Sequence, residues 1–160
     1  MAGLVLEHGG DADQAAAGLL HDALEDCDGV TSEALAERFG PDVARMVEDC
    51  SDSLAADRPG QKSDWGLRKR CHLERLAAVG PRSALVAACD KRHNLAALVR
   101  DLREEGLVCL ERFRAGPAEQ LWYFDALLAA LGPQIPPRLR QELDGLLAEL
   151  RALLAVAGRA

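Results

Sequence analysis

One short segment of the chain brings together an imidazole and three carboxylates. His21, Asp22, Glu25 and Asp26 lie within six positions, and His21 is four residues from Glu25, as Asp22 is from Asp26. On a helix, residues four apart are neighbours, and like charges this close cost stability unless a cation offsets them. A neutral imidazole and a carboxylate are both ligands of divalent metals, and further acids one turn away could move the protons of water. The alternative is an acidic helix end in solvent, with His21 as a core residue.

A second polar cluster follows a long apolar run. Asp90 comes directly after Ala84–Cys89, and Asn94 lies one turn further along the same helical face. Because a buried carboxylate is rarely left unpaired, we expect a metal or a cationic side chain to pair with Asp90. A salt bridge between Asp90 and an arginine is the alternative.

Taken together, the two clusters resemble the HD-domain phosphohydrolases. The family pattern His-Asp-x-x-Glu-Asp is present at residues 21–26, and the later pattern Ala-Asp-Lys-x-His-Asn is present at residues 89–94, with Cys89 in place of the alanine. The match is closest to the hydrolase branch of the RelA/SpoT type, which removes the 3′-pyrophosphate from the alarmone (p)ppGpp. The resemblance covers about residues 2–131 and implies an all-α, HD-domain helical bundle.

The resemblance also implies roles for the residues of both clusters. A divalent metal, usually manganese, is held by His21, Asp22, Asp90 and one further histidine. Glu25 and Asp26 then position and activate water against the pyrophosphoryl phosphorus. A bound divalent ion lowers the pKa of its water and polarises a phosphoryl oxygen, so this ligand set is consistent with hydrolysis.

Three further residues are expected at the substrate. By the resemblance, Asn94 hydrogen-bonds near the metal or the sugar, and Lys69 faces the substrate phosphates. Residues 68–75 around Lys69 are the densest positive run of the chain, and they form either a phosphate funnel or a solvated helix face. The aromatic triplet at 122–124 is interpreted chiefly as core, with Tyr123 as a contact for a nucleobase or ribose. His72 is expected at the surface.

The chain departs from the family pattern at its start. His8 is the one histidine before His21, and it stands at a helix end beside two glycines rather than in the position of the first metal histidine of the family. Either the sequence begins just after that histidine, or the protein lacks this ligand. A metal held by three ligands would bind more weakly. Three functions are therefore considered: a (p)ppGpp hydrolase, an HD phosphohydrolase for another nucleotide or phosphoester, and a degenerate HD domain that only binds a nucleotide or a protein partner.

The composition fits one compact fold and argues against several classes of protein. The 160 residues carry a net charge of −7, with 49% apolar and 28% charged residues. This balance argues against disorder and against broad binding to DNA or RNA. No apolar run approaches the roughly 20 residues of a membrane span. The five cysteines include no closely spaced pair, which favours reduced thiols in a cytoplasmic protein.

The elements that must position these residues are helices. Alanine and leucine are abundant, and no segment alternates apolar and polar residues as a strand would. We predict one helix over residues 12–26 that carries the first cluster. A second helix, over residues 81–103 and apolar on nearly every side, carries the second cluster. A polar loop is predicted at residues 54–64.

A separate helix is predicted at the end of the chain. Residues 1–131 would form the phosphohydrolase domain, residues 132–137 a proline-rich linker, and residues 138–160 a C-terminal amphipathic helix. The apolar stripe of that helix consists of Leu139, Leu143, Leu146, Leu150 and Leu153. Such a stripe either packs on its own domain or forms the seam of a homodimer.

Overall fold

The structure, a computed structural model, describes residues 1–52 and 64–157, which form nine α-helices and no strand. The helices are α1 (Ala2–Glu7), α2 (Ala12–Leu20), α3 (Ala23–Asp26), α4 (Ser32–Phe39), α5 (Pro41–Cys50), α6 (Trp65–Ala78), α7 (Pro81–Glu105), α8 (Pro117–Leu131) and α9 (Pro137–Ala157). Two short 3-10 helices, Gly106–Arg112 and Gly132–Gln134, connect α7 to α8 and α8 to α9. The predicted all-α bundle is confirmed.

Helix α7 lies at the centre of the bundle. Pro81 occupies its first turn, where the missing N–H has no helical partner to lose, and Gly106, with a φ of 69°, ends it. Every residue from Ser83 to Asp90 is buried. Helices α1, α2, α5, α8 and α9 all pack against α7. The second polar cluster is therefore carried into the interior by the central helix, as its apolar run predicts.

A capping box fixes where α2 begins and how it meets α7. The Asp11 side chain accepts from the backbone N–H of Gln14 at 2.9 Å, and the Gln14 side chain accepts from the backbone N–H of Asp11 at 3.0 Å. The side-chain amide of Gln14 also donates to the carbonyl of Arg82 at 3.1 Å. Because Arg82 lies in the first turn of α7, this bond sets the two site-bearing helices side by side.

The helix predicted over residues 12–26 is interrupted at the first cluster. Helix α2 ends at Leu20 with His21 as its C-cap, and α3 begins only at Ala23. At this end Nδ1 of His21 lies 3.0 Å from the carbonyl oxygen of Gly18, one of the acceptors that the last turn of a helix leaves unsatisfied. The prediction of a continuous helix is wrong. The break changes the direction of the side chains that follow it.

The C-terminal helix packs on its own chain. Helix α9 lies against α7 and α8, and its fully buried face consists of Leu139, Leu143, Leu147 and Leu150. The predicted stripe is thus correct at three positions, while Leu146 and Leu153 are only partly buried. Because the stripe is covered by α7 and α8, it offers no seam to a second copy. A homodimer stays a prediction that the stripe no longer supports.

Two other predictions concern the connecting segments. The polar loop predicted at residues 54–64 lies, except for Asp64, outside the described residues. Within the predicted linker 132–137, Gly132–Gln134 form a 3-10 helix and Ile135 is buried in the core. Among the helices that the structure describes, none has both the length and the apolarity needed to cross a bilayer.

Candidate active site

The imidazole of His21 lies between two carboxylates from different parts of the sequence. Its Nε2 is 3.0 Å from Oδ2 of Asp22 and 3.2 Å from Oδ1 of Asp90. Since Nδ1 faces the carbonyl of Gly18, Nδ1 is the nitrogen that donates there, and Nε2 faces the acids. Hydrogen bonds to Asp22 and Asp90 raise the pKa of His21 to about 10. The two clusters identified in the sequence therefore converge at one imidazole nitrogen.

Asp90 is the buried member of this group. Its Oδ1 also accepts from the side-chain amide of Asn94 at 3.0 Å, and its Oδ2 lies 2.5 Å from Nζ of Lys91. Burial alone would raise the pKa of Asp90, but the hydrogen bond with His21 and the charge of Lys91 hold it below its usual range. Among the described residues, Lys91 and His21 compensate the charge of Asp90, in place of the arginine of the alternative interpretation. Lys91 was not singled out from the sequence, although its position beside Asp90 was a signal for it.

The chemical types of these three side chains suit a divalent cation. One imidazole nitrogen and two carboxylate oxygens are typical ligands of manganese, magnesium or zinc, and the side chain of Asp22 is 60% exposed, which leaves the group open to solvent. In their present spacing both carboxylates contact Nε2 of His21. Across residues 1–52 and 64–157, no three His, Cys, Asp or Glu side chains are spread around a common centre as a closed metal site would be.

Glu25 is held by the end of α5 rather than by the helix that precedes it. Its Oε1 accepts from the backbone N–H of Asp52 at 2.8 Å and from Oγ of Ser51 at 3.1 Å. The break between α2 and α3 turns Glu25 toward these residues, whereas helical spacing had placed it beside His21. Asp26 is exposed at the end of α3. The structure thus separates the two acids that the sequence analysis treated as a pair.

Asp52 connects Glu25 to the basic run of α6. Its carboxylate pairs with both Arg68 and Lys69, and Arg75 donates to the carbonyl of Ser51 at 2.6 Å. Burial would raise the pKa of Asp52, but the hydrogen bond from Lys69 lowers it overall. Arg68 and Lys69 therefore face inward, and the interpretation of this part of the run as a solvated face is wrong. The sequence alone indicated no role for Asp52, because its link between Glu25 and Lys69 depends on contacts between residues that are distant in the chain.

A cavity of about 410 Å³ opens beside Asp90. Lys91 and Asn94, both in contact with Asp90, line one end of it, and Lys69 and Tyr123 line it as well. The Lys69 ammonium lies 4.8 Å from the centre of the Tyr123 ring. The structure thus brings all three residues expected at the substrate, Lys69, Asn94 and Tyr123, to one cavity next to the His21 cluster. Other lining residues are Trp65, Ala97, Leu98, Asp101, Arg112, Phe113, Gln120 and Phe124.

Two histidines outside the cluster are buried. His72, expected at the surface, is fully buried, because it lies on the face of α6 that turns inward with Arg68 and Leu76. Burial first, and then the ammonium groups of Lys91 and Lys69, lower the pKa of His72 to about 3. His8 is buried too, with its Nε2 3.6 Å from Glu142 on α9. His8 therefore contacts the C-terminal helix.

Comparisons with known families and structures show which proteins this chain is similar to. The family model described as HD domain matches residues 1–111, which include the His21 cluster, Glu25 and Asn94 but not Tyr123. The crystal structure of lmo0812 from Listeria monocytogenes EGD-e is similar over 93% of this chain and 91% of that chain, with a TM-score of 0.77 and 23% sequence identity. At that identity the likeness concerns the fold alone. No curated protein matches the sequence.

Proposed function

This chain belongs to the HD-domain family, and we propose that it removes pyrophosphate from (p)ppGpp or a related nucleotide with a metal-activated water. Membership of the family indicates a metal-dependent phosphohydrolase; the nucleotide and the manganese ion are the parts that we propose. The observation that carries the proposal is the convergence of Asp22 and Asp90 on Nε2 of His21, beside a cavity lined with two lysines.

His21, Asp22 and Asp90 are the residues that would hold the metal. Bound there, a divalent ion would lower the pKa of a water molecule and polarise a phosphoryl oxygen. Asn94 supports this group by donating to Asp90, and the hydrogen bond of Nδ1 to Gly18 keeps Nε2 of His21 turned toward the acids. These contacts preorganise the imidazole before any ligand arrives.

Glu25 is the proposed general base, with Asp26 next to it in the chain. The carboxylate accepts a proton from the attacking water as the water oxygen bonds to the pyrophosphoryl phosphorus. The bond from that phosphorus to the ribose oxygen breaks, and the departing oxygen takes up a proton. Ser51 and the backbone of Asp52 orient Glu25 for this step.

The cavity supplies the proposed substrate contacts. Lys69 and Lys91 carry positive charge at its walls, which favours phosphate groups. Tyr123 lines the cavity as the proposed contact for a base or sugar, and its hydroxyl is buried without a hydrogen-bond partner among the described residues. A buried hydroxyl without a partner is costly, so a ligand or water that pairs with it would be stabilising.

A second candidate is a degenerate HD domain that binds a nucleotide or a protein partner without hydrolysing it. The spacing of the three proposed ligands favours this candidate. In the described part of the chain, Asp22 and Asp90 both contact His21, and the three side chains do not surround a common centre. An HD phosphohydrolase with another nucleotide or phosphoester as substrate shares the same catalytic groups. These candidates differ in metal content and in substrate.

Pyrophosphate release tests the proposal. The protein is incubated with manganese and (p)ppGpp, alongside Asp90→Ala and the control Asp125→Ala. The control removes a carboxylate of α8 that pairs with Arg151 of α9 and does not line the cavity. We expect release by the wild type and the control and none by Asp90→Ala. Equal release by Asp90→Ala would exclude Asp90 from the site. Release with other nucleotides alone would favour the second hydrolase, and no release together with no bound metal would favour the degenerate domain.

A further inference from the structure

The peptide group between Ser51 and Asp52 is hydrogen-bonded at both of its polar ends. Its N–H donates to Oε1 of Glu25 at 2.8 Å, and its carbonyl oxygen accepts from the guanidinium of Arg75 at 2.6 Å. Because a peptide group is planar and trans, its C=O and N–H bonds point in opposite directions. Glu25 of α3 and Arg75 of α6 therefore lie on opposite sides of one peptide group.

Helix α5 does not fix the orientation of this peptide group. Ser51 is the C-cap of α5 and has a ψ of 136°, whereas a helical ψ is about −42°. A difference of about 180° in ψ reverses the directions of the C=O and N–H bonds that follow. If α5 continued through Ser51, the N–H of Asp52 would point toward the carbonyl of Glu48 and away from Glu25. Contacts from outside the helix therefore hold the observed orientation.

The ion pairs of the Asp52 side chain do not determine this orientation either. The carboxylate pairs with Arg68 and Lys69, and these contacts hold the side chain in place. A peptide group can nevertheless turn about the line between its two Cα atoms while the side chains on both sides stay where they are. The bond from Arg75, in contrast, is made to the carbonyl oxygen of the peptide group itself. It therefore opposes the turn directly.

The positive charge of Arg75 also strengthens the contact with Glu25. A guanidinium stays protonated, and hydrogen bonds to charged groups are stronger than neutral ones. Hydrogen bonds in a chain polarise one another, so a cation at the carbonyl end makes the N–H at the other end a better donor. Ser51 and Asp52 are both buried, which limits screening by solvent. The carboxylate of Glu25 is consequently held in one place.

We propose that Arg75 is a positioning residue for Glu25, because it holds the peptide group between Ser51 and Asp52 with its N–H toward the Glu25 carboxylate. The inference rests on the proposed function, since it takes Glu25 as the general base. Arg75 does not line the cavity. It therefore acts on the position of the base and not by attracting the phosphates of the substrate.

The amide proton of Asp52 tests this contact without any reaction. Proton–nitrogen correlation spectra are recorded on the full-length chain without metal or nucleotide. An amide proton that donates to a carboxylate resonates downfield, so we expect the Asp52 signal to move upfield in Arg75→Met and in Glu25→Gln. Arg103→Met is the control, because Arg103 pairs with Glu149 of α9 and does not line the cavity. It should leave the Asp52 signal unchanged.

Steady-state kinetics of pyrophosphate release tests the consequence for the reaction. We expect kcat of Arg75→Met to fall about tenfold, the worth of one hydrogen bond to a charged group, while KM stays constant. Arg75→Lys keeps a charged donor on a long stem and should recover most of kcat. Arg103→Met should behave like the wild type. A residue that attracts substrate phosphates would instead raise KM and leave kcat unchanged.

The outcomes separate this inference from the proposed hydrolysis. An unmoved Asp52 amide in Arg75→Met, a loss of activity confined to KM, or no recovery in Arg75→Lys would each overturn the inference. The spectra also show whether each variant is folded, and they need no turnover. A chain whose Asp52 amide moves as expected but that releases no pyrophosphate would overturn the proposed reaction and leave the contact of Arg75 with Glu25 through this peptide group intact.

Discussion

Nε2 of His21 and Oδ1 of Asp90 lie 3.2 Å apart, so a polar contact joins the end of α2 to the middle of α7. Asp90 is buried, and a buried carboxylate is stable only when hydrogen bonds and positive charge compensate its lost hydration. His21, Lys91 and Asn94 together provide this compensation. This contact is the reason that the two sequence clusters can act as one site.

Replacing Asp90 should weaken manganese binding. In Asp90→Asn one of the three proposed ligands loses its charge. We expect the affinity to fall at least about tenfold, since even residues behind metal ligands cost about tenfold to a hundredfold. The measurement is titration calorimetry at constant pH, with thermal unfolding to confirm that the variant is folded. Asp125→Asn should bind manganese like the wild type. An unchanged affinity in Asp90→Asn would remove Asp90 from the ligand set.

Removing the hydroxyl of Ser51 should slow the reaction without changing substrate affinity. Ser51 donates to Glu25, and a hydrogen bond to a charged group is worth about 1.5 kcal/mol, or roughly tenfold in rate. We therefore expect kcat of Ser51→Ala to fall about tenfold while KM and manganese affinity stay constant. Steady-state kinetics of pyrophosphate release measures both constants.

A second serine provides the control for that substitution. Ser83 donates to Asp49 at 2.6 Å, away from the His21 cluster and the cavity. Ser83→Ala loses a hydroxyl–carboxylate bond of the same kind, so it should lower stability but not kcat. If both variants lose the same fraction of kcat, Ser51 has no special role in positioning Glu25.

The buried His72 should make the protein less stable in mild acid. Burial and the charges of Lys91, Lys69 and Arg75 outweigh Asp52 and lower the pKa of His72 to about 3. Because the unfolded chain takes up this proton at a pH near 6.5, the contribution is complete above that pH and is lost as the pH falls toward 3. Between pH 6.5 and pH 5 this amounts to about 2 kcal/mol, at about 1.4 kcal/mol per unit.

The comparison with a non-titrating side chain isolates this contribution. Urea unfolding of the wild type and His72→Gln at pH 7.5 and at pH 5 gives the two changes in the free energy of unfolding. Carboxylates titrate alike in both proteins, so the difference between the two changes reports His72. Identical pH dependence in the two proteins would mean that His72 is not held neutral in the folded chain.

The C-terminal helix should contribute strongly to stability through its buried face. Leu143 is fully buried, and Leu143→Ala should cost about 2–5 kcal/mol in the free energy of unfolding. Leu146 on the neighbouring face is only partly buried, and Leu146→Ala should cost about 1 kcal/mol. Urea unfolding at two protein concentrations measures both losses and any dependence on concentration. A larger loss for Leu146, with a dependence on concentration, would instead support the homodimer.

Several features of the site follow from local sequence. Pro81 and the apolar run before Asp90 predict a buried helix that carries Asp90, and α7 has that form. The prediction failed at the break between α2 and α3, where His21 contacts the carbonyl of Gly18 and Glu25 contacts Ser51. It failed again at His72, since charge and polarity alone cannot tell which face of α6 is covered.

The sequence by itself determined the helical class, the chemical types of the groups at the candidate site and the helix that carries Asp90, because periodicity, caps and composition act over a few neighbouring residues. Only the tertiary structure decided that Asp22 and Asp90 meet at His21, that Asp52 joins Glu25 to Lys69, and that Leu147 rather than Leu146 is buried. These relationships depend on how whole helices pack, and packing sums many weak contacts between residues that are distant in the chain.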